Sequence, residues 1–148
     1  MTADVDHRQL GVDLFNGAWK LLEKPDRSPD EDALLIHMVH ASAYHWLQVG
    51  KPENFARSHW LCSRVYCVLG RSEPAIYHAK FVLDICERNG IGDWDLGFAY
   101  EALARSYAVA GDSAESARWL ARAHSACVEI AEDEDRDLLL GDLATIPA

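Results

Sequence analysis

Apolar residues recur along this chain at three- and four-residue spacing, in blocks of similar length separated by short polar breaks. That spacing puts them on one face of a helix, whereas a half-buried strand would alternate every second residue. No segment alternates in that way, and β-branched residues are sparse. Glycine marks the breaks: Gly50, Gly70, Gly90 and Gly111 stand 20 or 21 residues apart. At each one a left-handed residue would end the helix before it.

Start signals follow. Ser28, Pro29 and Glu31 supply an N-cap, a proline at the first helical position and the partner of a capping box. Pro52 would open the next helix, Ser72 and Asp93 would cap two more, and Asp112 with Glu115 would form a second box. The pattern predicts helices over about 5–24, 29–49, 52–69, 73–89, 94–110 and 113–131, with a short one near 134–143. The chain is predicted to be all-α.

Equal helices joined by equal breaks suggest internal repetition. Residues 59–70 lie on 100–111 at an offset of 41, which pairs Ser63 with Ala104, Arg64 with Arg105, Tyr66 with Tyr107 and Gly70 with Gly111. At an offset of 42 the following helices pair Ala75 with Ala117, Tyr77 with Trp119 and Ala79 with Ala121. In this frame Tyr100, Leu103, Ala104, Tyr107, Gly111 and Ala117 carry the pattern of a tetratricopeptide repeat. His59, Cys62, Ser63, Tyr66, Gly70 and Ala75 carry it more loosely. The chain thus resembles that family over roughly 52–131, with a period of about 41 where the family has about 34 and without its closing proline. The resemblance implies a TPR-like right-handed α–α superhelix of about three antiparallel helix pairs (about 5–50, 52–90 and 93–131), with a capping segment over 132–148.

At 148 residues the chain is read as one domain, 1–148, long enough to bury a core without disulfides or metal. No basic segment followed by an apolar run opens it, and no apolar run is long enough to span a bilayer. Four cysteines, Cys62, Cys67, Cys86 and Cys127, form no Cys-x-x-Cys pair and are expected as reduced core thiols in a cytoplasmic protein. A net charge of −10 argues against nucleic acid as a partner. The acidic stretch 129–137 is expected as a solvated turn leading into the last helix.

Candidate chemistry is confined to a few residues. His37, His40 and His45 fall within nine positions, but at 100° per residue they do not share a face. The repeat frame sends His40 to solvent, His45 to the core and His37 to a half-buried aromatic position. His37 with His40, or His59 with Cys62, are the pairs a small helical metalloprotein or enzyme would use, and His124 with Cys127 is a third. No metal or cofactor is expected, because none of these pairs is complete. Gly-x-Ser-x-Gly, phosphate-loop and dinucleotide-binding motifs are absent. Glu101 and Arg105 are expected as a surface ion pair.

By the resemblance, the first helices of the pairs line a concave face, where Arg57, Trp60, Arg64 and Cys67 would be followed by Phe98, Glu101, Arg105 and Ala108. Arginine and large aromatics dominate binding hot spots, and a guanidinium fork holds a carboxylate at two points. The expectation is therefore a non-enzymatic interaction module that binds an acidic or C-terminal peptide segment through Arg57, Trp60, Arg64, Phe98 and Arg105. A self-associating structural protein, a homodimer built on the five tryptophans, is the remaining alternative.

Overall fold

The computed structural model describes residues 4–147. Among them are seven α-helices and no strand: α1 (His7–Leu22), α2 (Pro29–Val49), α3 (Pro52–Val68), α4 (Ser72–Asn89), α5 (Asp93–Val109), α6 (Ser113–Cys127) and α7 (Asp133–Leu143). No helix is long and apolar enough to cross a membrane.

The local chemistry explains the boundaries. Ser28 and Glu31 close the capping box at α2, each accepting from the other's backbone N–H. Gly70, Gly90 and Gly111 take φ of +72°, +64° and +78°, the left-handed conformation that lets a chain leave a helix without a Cβ clash. Gly50 does not: it is extended, with ψ of −178°, leading into Pro52. Two predicted caps shift by a residue. Ser72 and Asp93 are the first helical residues of α4 and α5, behind Arg71 and Gly92. Asp112 does accept from the Glu115 N–H, but the Glu115 carboxylate turns to Arg118 and Trp119. The end of α6 differs most, stopping at Cys127 with no glycine. There the Arg136 guanidinium donates to the carbonyls of Cys127 and Ile130, satisfying groups that another turn of helix would otherwise have used. The acidic stretch then places Asp133, Glu134 and Asp135 in the first turn of α7, where the helix dipole favours them.

Consecutive helices pack as sequential antiparallel pairs. The odd-numbered helices α1, α3, α5 and α7 also pack on one another in series, whereas α2 and α4 meet only through the side chains of His40 and His78. The odd-numbered helices therefore share one layer, and α3 and α5 hold its centre. Leu35, Leu61, Leu103 and Leu139 are fully buried, each contributing about 1.5–3 kcal/mol by removal from water. Trp60 on α3 packs against three of the four apolar clusters, so it joins them into one core. All four cysteines are free and buried.

One register needs correction. Pro52 and Asp93 open α3 and α5, and Ser72 and Ser113 open α4 and α6, so the offset is 41 in both helices. Ala75 and Ser116 are both buried, as are Val82 and Ala123, whereas Ala117 and Ala121 are exposed. The identity of two alanines favours the offset of 42, but a hydrogen bond decides against it. Ser63 Oγ donates to the Ala75 carbonyl at 2.9 Å, and Ser116 Oγ donates to the Ala104 carbonyl at 2.9 Å. The two pairs make the same contact with the serine on opposite helices.

Candidate functional site

The residues expected in a groove do gather on α3 and α5, but the three arginines are already engaged. Glu101, read from sequence as half of a surface pair, is fully buried and central. Its Oε1 accepts from Arg64 Nη2 at 3.0 Å and from the Trp60 indole at 3.2 Å, and its Oε2 accepts from Arg105 Nε at 3.1 Å. Asp142 of α7 closes the network, its carboxylate taking Arg64 at 2.9 Å and its carbonyl taking Arg105 at 2.9 Å. Burial opposes the Arg64 charge, but Glu101 and Asp142 outweigh it and hold the guanidinium above its ordinary pKa. Arg57 makes a two-point contact with Asp95 at 3.0 and 3.1 Å and lies 4.3 Å over the Trp94 ring. Cys67 is buried against Ser106, and its thiol is pushed up by that burial.

Beside this network lies a trough of about 500 Å³ between α1, α3, α5 and α7. Phe15 and Trp19 of α1 face Leu138 of α7 across it, with Trp60, Trp94 and Phe98 between them. The rings interlock: Trp60 meets Trp19 and Phe98, each at 5.7 Å between centroids. Arg57, Asp95, Asp135 and Asp142 form its polar margin, so the margin is acidic overall. Leu138 is 62% exposed, unlike its neighbour Leu139, which anchors α7 in the core. Sequence reasoning found Trp60 and Phe98 but missed Phe15, Trp19, Trp94 and Leu138. Phe15, Trp19 and Leu138 lie on α1 and α7, outside the segment that carries the repeat pattern, and Trp94 stands at the start of α5, one turn before the first groove position at Phe98.

His40 is exposed as expected, whereas His37 and His45 sort differently. His37 is exposed. His45 is only half-buried, and its Nδ1 meets that of His7 at 2.9 Å. His40, although exposed, turns Nε2 to the Tyr66 hydroxyl at 2.9 Å and Nδ1 to Cys62 Sγ at 4.0 Å. His59 and His78 place their Nδ1 atoms 2.9 Å apart, and His59 stacks on Phe81 at 4.5 Å. Burial and neighbouring imidazoles lower the pKa of His40 and His59, and bring that of His78 down to about 4. Burial raises the Cys62 thiol to about 12. His124 and Cys127, the remaining candidate pair, lie on α6 away from this cluster, with His124 exposed.

Comparison with protein-family models, with curated proteins and with solved structures finds no match.

Proposed function

We propose that the protein is a non-enzymatic interaction module, a TPR-like α–α superhelix whose odd-numbered helices present the trough to a segment of a protein partner. The observation that carries this reading is the trough itself: about 500 Å³ walled by aromatic rings and open at its margin. Concave apolar sites with a few placed polar groups are where ligands bind, and buried tryptophans make the strongest anchors. The occupant differs from the acidic peptide that arginines at the groove positions suggest. Arg64 and Arg105 already hold Glu101 and Asp142, and Arg57 holds Asp95, so no guanidinium is free to receive a further carboxylate at two points. An apolar side chain flanked by lysine or arginine matches both the aromatic walls and Asp135, the margin carboxylate outside the ion pairs of Arg57 and Arg64.

Selection from a displayed peptide library tests this. Selected peptides should share a bulky apolar residue beside a basic one and should displace one another. Leu138→Asp, at an exposed wall position, should weaken their binding at least ~10-fold while leaving the melting temperature unchanged. Equal binding to that variant, or a selected set without an apolar anchor, overturns the reading. A concentration-dependent dimer whose formation Leu138→Asp abolishes would assign the trough to a second copy of the chain instead.

A further inference from the structure

His40 on α2, Cys62 on α3 and His78 on α4 each bring one donor atom to within 4.8 Å of the others. Among the described residues this is the one group of three histidine, cysteine or acidic side chains placed to hold a metal ion. We infer that this cluster binds a single zinc-type transition-metal ion, with His40, Cys62 and His78 as ligands. The inference is independent of the trough, which lies among the odd-numbered helices.

Donor type comes first. Imidazole and thiolate together suit zinc and its neighbours, whereas calcium and magnesium need oxygen. Distance comes second. Bonds of about 2.0 and 2.3 Å to nitrogen and sulfur put tetrahedral ligands roughly 3.6 Å apart. The 4.0 Å between His40 Nδ1 and Cys62 Sγ closes to that by a small side-chain rotation. The surroundings come third. Ligand histidines are held in place by a hydrogen bond at the other ring nitrogen, and Tyr66 makes that bond to His40 Nε2. His59, 2.9 Å from His78, orients that ring and is itself held flat on Phe81. His59 stands outside the group of three, so the fourth position goes to water.

A core histidine with only a packing role would bond a backbone carbonyl or a carboxylate. The hydrogen bonds of these rings run instead among His40, His59, Cys62, Tyr66 and His78, with no backbone carbonyl or carboxylate taking part. Burial keeps the imidazoles neutral, which leaves a lone pair on each for a cation. The Cys62 thiol would lose its proton to solvent as the sulfur–metal bond forms, so binding should release one proton per ion and tighten as pH rises. Exposed His40 gives the ion its way in.

The test uses the full chain without a histidine tag, stripped with chelator and titrated with Zn²⁺ and then Co²⁺. One ion per chain is expected, and Co²⁺ should show tetrahedral visible bands with a near-ultraviolet thiolate charge-transfer band. Cys62→Ser should abolish that band, and His78→Gln should weaken Zn²⁺ binding by at least ~100-fold. Tyr66→Phe should cost ~10-fold through the lost support to His40. Because Cys62 and His78 are buried, His40→Gln at an exposed position supplies the same loss with little risk to the fold, checked by circular dichroism. His45→Gln, in the separate His7–His45 pair, should leave binding unchanged. Substoichiometric binding by wild type, a Co²⁺ spectrum without the thiolate band, or full affinity in His40→Gln would each overturn the inference.

Discussion

The buried carboxylate of Glu101 draws in two guanidinium groups and an indole N–H, whereas the buried imidazole of His78 sits among two further imidazoles, a thiol and a phenol. Both clusters stand partly on α3, where Trp60 and Arg64 of the first alternate with His59, Cys62 and Tyr66 of the second. The first is made of permanent charges, each facing its opposite. The second is made of neutral imidazole, thiol and phenol groups, with no counter-charge among them. The first is therefore intolerant of losing a member, because any deletion strands a buried charge. The second is sensitive to what is added, a proton or a cation, because its lone pairs face inward.

The sharpest way to break the comparison is Glu101→Ala. It leaves Arg64 and Arg105, each 12% exposed in the side chain, without their shared partner and should cost about 3–5 kcal/mol in denaturant unfolding. A loss below about 1 kcal/mol would mean the network behaves as a surface pair, and the contrast would collapse. Acid addresses the other side. In metal-free protein the ordinary histidine pKa of 6.5 falls to about 4 at His78 in the folded state. Above pH 6.5 the ring is neutral in both states, and its environment costs nothing. As pH falls toward 4 the unfolded chain takes up the proton first, so stability should drop by roughly 2–3 kcal/mol across that window. In His78→Gln the same descent should be shallower; an identical profile would place the acid sensitivity elsewhere.

Gly97→Ala separates α7 from the arginine side. A Cβ there would lie 2.6 Å from Cδ2 of the buried Leu139, so that side chain must turn or α7 must shift, at a cost of about 1–3 kcal/mol. Hydrogen exchange should accelerate in α7 while α2 keeps its protection. The smallest effect is the reference: Arg88→Ala removes an exposed pair with Asp84 and should change the unfolding free energy by less than about 0.5 kcal/mol.

The helices were legible because their ends are written locally. Ser28, Pro52 and the left-handed glycines state a boundary within a few residues of where it occurs. The register of α6 was not, because alanine fits either face and the hydrogen bond that decides it comes from Ser116 to another helix. The arginines were legible as residue types, but i, i+4 spacing between Glu101 and Arg105 says that they pair, not that the pair is buried. Asp142, the remote partner that completes it, lies 78 residues from Arg64. The histidine cluster was least legible of all. Its three donors come from three helices, one each, so no spacing within a helix announces them, and His78 carries no signal by itself.

The Arg64–Asp142 contact has a consequence for how the chain is made. Helix pairs that touch only their sequence neighbours settle as they are synthesised, each on the one before. Arg64 in α3 meets Glu101 when α5 arrives, but meets Asp142 only when α7 does. Until α7 emerges, the middle of the stack holds guanidinium groups short of a carboxylate, and the trough lacks the wall that Leu138 supplies. A nascent chain thus carries an unfinished centre until α7 emerges, and that helix acts as the keystone that locks the middle of a stack built from one end.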